Sequence, residues 1–157
     1  MLKLLLSTEG RLAPLILRVG LAVVIWPHGA QKMLGWFGGA GVSGTLSMFQ
    51  ENLGIPVWLG FLVILTEFFG PILLLMGWLT RVVALAIGVM ISVAAIMVHV
   101  AHGFFMNWSQ EKAGEGFEYH ILVLAIALAL MVTGGGRWSG DAAWFRRCES
   151  REGGVGK

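Results

Sequence analysis

The stretch "WPHGAQKMLGWFGGAG", Trp26 to Gly41, decides how this chain is read. It closes a long apolar run with a histidine and a lysine four residues apart, then gives way to Gly35, Gly38, Gly39 and Gly41. At 100° per residue, His28 and Lys32 lie about 40° apart on one helical face. The glycines let the backbone turn sharply after the helix, and Trp36 and Phe37 suit a membrane–water boundary. The stretch reads as the polar end of a helix built for hydrocarbon.

The rest of the chain agrees. Of 157 residues, 57% are apolar and 13% charged, against about 25% charged in an ordinary soluble domain, and the mean hydropathy is +0.79. A multi-pass membrane protein follows, with the lipid bilayer as its first partner and no sign of a nucleic-acid role. About 20 helical residues span the roughly 30 Å of bilayer hydrocarbon. Four segments qualify: Leu12 to Leu34, Pro56 to Trp78, Thr80 to His102 and Glu118 to Thr133, the last resting on the short apolar core "ILVLAIALALMV". "MLKLLLSTEGR" breaks its apolar run at Ser7 and lacks the form of a cleaved signal peptide, so the first helix is expected to remain in the mature protein.

Basic residues set the orientation. Lys3, Arg11, Arg81, Arg137, Arg146, Arg147, Arg151 and Lys157 fall on one side, Lys32 and Lys112 on the other, and Arg18 inside the first span. Both termini are therefore expected in the cytoplasm. Short connections imply an all-α, antiparallel four-helix bundle. Gly20, Gly60, Gly70, Gly88, Ala94 and Ala95 are expected at the helix contacts. In the first external loop, Leu46, Phe49 and Leu53 are spaced for a short interfacial helix that covers the bundle as a lid, with His28 and Lys32 facing inward beneath it. Residues 1–11 are read as an N-terminal interfacial segment, 12–144 as the transmembrane domain and 145–157 as a basic cytoplasmic tail with a disordered end. Trp138, Trp144 and Phe145, with Arg146 and Arg147, suit the headgroup layer.

Polar residues within the spans carry the functional expectations. Glu67 falls near mid-membrane, where an isolated carboxylate costs at least about 2.5 kcal/mol. It should be protonated, paired or wetted. A protonated acid bonded to His99 or Thr66 is the expectation, because Lys32 lies close to the outer surface. Arg18 is expected to snorkel to the headgroups. His28, His99, His102 and His120, with Glu118, all fall toward the outer side and suggest an outward-opening pocket floored by Glu67. Turned toward lipid, the same stripe would simply sit at the interface.

At these residues the chain resembles the DoxX family. "PHGAQKMLGWFGG" is similar to the family's "HG-x-x-K-x-x-G-x-FGG" signature. "GTLSMFQENLGIP", "TEFFGPILLLMGWLTR" and "HGFF" followed by "GFEYHILVLAIALALMVTGGGRWSGDAAW" resemble further family segments in the same order, together covering Arg11 to Trp144. The resemblance implies a four-helix inner-membrane protein, in a family named after a subunit of a thiosulfate-oxidising, quinone-reducing complex. Most members of that family have no established reaction. Where related sequences commonly carry Asn after "EY", this chain carries His120.

Three function classes remain open. In a quinone-linked redox component, Trp26 and Trp36 would stack on a quinone head group, His28 and Lys32 would bind its oxygens, and Glu67, His99 and Glu118 would exchange protons. Cys148 is the sole cysteine, which excludes an internal dithiol relay, and electrons would have to come from a partner redox protein or a bound cofactor. In a metal- or haem-binding protein, His99, His102 and His120 would be ligands. In a non-catalytic anchor, the basic tail would hold soluble redox proteins. A transporter is disfavoured unless the protein forms a homo-oligomer.

Overall fold

The computed structural model describes residues 12–152, which form helices joined by turns. Helix α1 is Ala13–Leu34, with Pro14 in its first turn; it stops at Gly35, whose left-handed backbone (φ 72°) directs its N–H to the Ala30 carbonyl. A single 3-10 turn, Trp36–Gly38, leads into α2, Gly41–Leu53. Helix α3 is Val57–Met76 and ends at Gly77. Helix α4 is Thr80–Ala94, and its path continues through a π turn, Ala95–His99, and a 3-10 turn to His102. Helix α5 is Glu118–Thr133 and α6 is Gly140–Glu152. The expected N-terminal interfacial segment and the end of the tail lie outside the described residues.

Three stretches, Ala13–Leu34, Val57–Met76 and Thr80–His102, are long and apolar enough to cross a membrane, and α5 is a shorter apolar helix. Helix α1 lies along α3 and α4 along α5; α3 also meets α4, and α1 meets α5. Leu21, Ile25, Leu74, Ile87, Val123 and Leu130 fill the interior. The outside is apolar as well, with Ile16, Val23, Val82 and Leu122 all largely exposed. Apolar residues all round a helix set belong to a membrane protein.

Glycine acts where helices touch, though not everywhere expected. Gly60 faces Leu46 and Phe49 of α2, Gly70 faces Val83, and Gly88 faces Ala127. Gly20 does not sit at a contact: it is exposed and nothing lies near its absent side chain. The closest approach is instead at Gly29, where a Cβ would fall 2.3 Å from the backbone oxygen of Glu67. Helix α2 runs across α1 and α3 with Thr45 and Phe49 buried.

Arg18 departs from expectation most. It does not snorkel: it is fully buried and donates to the Leu74 carbonyl at 3.1 Å and the Trp138 carbonyl at 2.7 Å. The physical reason is α6, a helix the sequence pattern does not announce. Ser139 caps it by accepting from Ala142 N–H at 3.1 Å. Asp141, in its first turn, accepts from the Leu79 and Thr80 N–H groups at 2.8 and 2.9 Å and so caps α4 from a distant part of the chain. Two backbone carbonyls inside the protein take donors of the guanidinium, while its Nε is buried without a partner.

Candidate functional site

The site grows from the Gly29–Glu67 contact. Because Gly29 brings α1 and α3 into backbone contact, the lysine one turn further along α1 can reach back across the seam. The Lys32 ammonium lies 2.5 Å from Glu67 Oε2. Glu67 is 8% exposed, while the Lys32 side chain keeps 22% of its surface open. The expected partners of Glu67, His99 or Thr66, are therefore corrected: its partner is Lys32, and the stem of a lysine bridges the depth that sequence position alone made too great. Pairing offsets the cost of a carboxylate in apolar surroundings, which no lone group there could meet.

Histidines extend this pair across the helices. His28 is exposed, so it lines an open edge and does not lie enclosed under α2. It stands within Coulombic reach of Lys32 and Glu67 and of His120. His120, 6% exposed, lies against His99 with ring centres 4.1 Å apart. His99 ends the π turn of α4, a local departure from α geometry of the kind found at functional sites. Its Nδ1 is 2.9 Å from the Glu115 carbonyl. A carbonyl only accepts, so Nδ1 carries the proton and, in the neutral ring, Nε2 is left as an acceptor. His120 Nδ1 is buried with no hydrogen-bond partner. Groups from α1, α3, α4 and α5 thus form one polar strip near one end of the helices.

The other expected residues lie elsewhere. Trp26 meets Trp36 (ring centres 6.1 Å) and Phe68 (5.9 Å). At 100° per residue, Trp26 and His28 are about 160° apart on α1, so this aromatic group and the polar strip occupy opposite flanks of the α1–α3 seam. One flat ring cannot lie against both. Glu118 accepts from Met106 N–H at 3.1 Å and its own N–H donates to Phe104, which fastens the loop before α5. The His102 ring sits against Gly114, away from the His99–His120 pair. Among the described residues, no three His, Cys, Asp or Glu side chains converge as metal ligands.

Sequence reasoning missed Gly29 and Glu115. For Gly29 a signal existed, since it is a small residue on the buried stripe of Leu21, Ala22 and Ile25. For Glu115 the contributing atom is a backbone carbonyl, which any residue supplies.

Residues 13–100 match the protein-family model described as DoxX. Over 116 residues, 74% of this chain and 76% of the other, the chain is 28% identical to a Bacillus subtilis (strain 168) protein whose name reads "Putative oxidoreductase CatD". No solved structure matches.

Proposed function

The chain belongs to the DoxX family, and from that premise we propose that it is a component of a quinone-linked redox system of the bacterial inner membrane. In this reading the helices form an antiparallel four-helix bundle with both termini cytoplasmic and α2 lying in the outer interface. The polar strip then opens outward. The observation that carries the proposal is the Lys32–Glu67 pair, an ion pair within an apolar helix set, with His28 linking it to His120, whose buried Nδ1 has no partner. The oxidoreductase name of the Bacillus relative supports the redox class.

A quinone ring has two carbonyl oxygens, and its two-electron, two-proton chemistry needs hydrogen-bond donors that can also pass protons. Lys32, whose side chain is partly open, would donate to one oxygen, and Glu67 would receive or return the lysine's proton. His120 Nδ1 would meet the second oxygen, with His99 and His28 as the proton route to the outer face. Electrons would come from a partner redox protein, since the single cysteine provides no dithiol relay. The aromatic flank of Trp26, Trp36 and Phe68 would border the ligand's tail rather than stack on its head.

Gentle detergent extraction followed by mass spectrometry of co-purifying lipids, quinones and proteins tests this. The proposal expects a quinone with the wild type and its depletion in Lys32→Met purified in equal yield. Absence of quinone from the wild type, or its retention in the variant, would remove the quinone assignment and favour the anchoring role.

A further inference from the structure

We propose that the other end of the helices, remote from Lys32 and Glu67, holds an anionic phospholipid, with its phosphate at Arg81 and an acyl chain along Val82. An open cavity of about 440 Å³ lies between the start of α4, the Gly134–Gly136 loop and α6. Its frame is fixed by Asp141, which holds the α4 start, and by Arg18, which holds Trp138. Gly134 and Gly136 take positive φ (69° and 74°), which lets the loop fold tightly beside Arg81 and Pro14.

The lining has the chemistry of an amphiphile site. Arg81 is its one cation; it is exposed and donates one N–H to the Val132 carbonyl at 3.2 Å, leaving most of its five donors available. Asp141, the one acid, has each carboxylate oxygen engaged by a backbone N–H and lies within Coulombic reach of Arg18. The walls are apolar and open outward: Leu79, Val82 and Phe145 are each more than half exposed. A charged rim above apolar walls on the lipid-facing side of a helix fits a headgroup with its chain attached.

Charge selects among lipids. At this end of the helices Arg81, Arg137, Arg146 and Arg147 outnumber Asp141 and Glu149, an excess of cations that favours anionic over zwitterionic headgroups. Trp144 lies against Trp78 at 6.1 Å between ring centres, and with Trp138 largely exposed these indoles suit the same layer. This assignment does not depend on which face of the membrane the end occupies, nor on the redox reading.

Native mass spectrometry of the full chain in detergent, with phosphatidylglycerol and phosphatidylcholine at equal concentration, is the test. Each arginine near an anionic lipid contributes about fivefold in affinity. The wild type should retain phosphatidylglycerol at least about fivefold more than phosphatidylcholine, Arg81→Gln should lower that preference about fivefold with the other arginines at this end supplying what remains, and Arg81→Lys should keep more of it. Equal retention by the wild type would overturn the proposal even if Arg81→Gln failed to fold. So would an unchanged preference in a folded Arg81→Gln, or complete displacement of the lipid by millimolar inorganic phosphate, which would make the ligand a free anion.

Discussion

Replacing Arg18 by Met keeps an unbranched, flexible apolar stem while removing the guanidinium and its donors. Two carbonyls are affected, unequally. The Leu74 oxygen also accepts the Gly77 N–H at 3.0 Å and stays satisfied, whereas the Trp138 oxygen loses a charge-assisted bond of 2.7 Å, worth about 1.5–3 kcal/mol. Asp141 also loses a nearby cation. Against this, the variant no longer buries a guanidinium, which recovers part of the desolvation cost. A net loss of about 2 kcal/mol follows, concentrated where Trp138 and α6 dock. Since Leu79 and Thr80 N–H donate to Asp141, their protection from hydrogen exchange reports that docking. Arg18→Met should speed their exchange by about 30-fold, with amides in the middle of α3 little changed. Unchanged protection at Leu79 and Thr80 would refute the role of Arg18 as the tie between α1 and the C-terminal segment.

Gly29→Ala should lower thermal stability in detergent by about 1–3 kcal/mol, because its Cβ meets helix backbone that cannot rotate away; Gly20→Ala, in open space, should be neutral in the same melt. Lys32→Met and Glu67→Leu should each destabilise more than the double variant does, since each single change strands a charge and the double removes both. A cysteine at exposed Ser43 should react with a membrane-impermeant thiol reagent on intact spheroplasts while Cys148 does not; the reverse would invert the proposed orientation.

Much of this fold is written in local pattern. The apolar runs are long, and glycines at 35, 54 and 77 end α1, α2 and α3 in the left-handed conformation, so the helix limits follow from hydropathy and backbone sterics. Helix α2 was legible because Leu46, Phe49 and Leu53 recur at helical spacing. Long-range polar partnerships were not. Nothing near Arg18 in sequence shows that Trp138 will present a carbonyl to it, and nothing around Asp141 identifies Leu79 and Thr80 as its donors. The candidate site was half legible: Glu67, His28, Lys32, His99 and His120 stand out as polar residues in apolar runs. Which of them meet depended on Gly29 drawing α1 against α3 and on the π turn that orients His99. Periodicity puts Trp26 and His28 on opposite sides of α1, a point that the expectation of both at one quinone head group passed over.

The central claim is that the Lys32–Glu67 pair and the adjoining histidines bind a quinone head group. Titrating purified protein in lipid nanodiscs with a short-chain quinone, followed calorimetrically, measures this directly for the wild type, Lys32→Met and Glu67→Gln, each verified by its melting temperature. Losing a charge-assisted hydrogen bond worth about 1.5–3 kcal/mol predicts saturable binding by the wild type and at least about tenfold weaker binding by Lys32→Met, whereas Glu67→Gln, which keeps the lysine donor, should weaken binding by less. Equal affinity in all three proteins, or no saturable binding by the wild type, would contradict the claim.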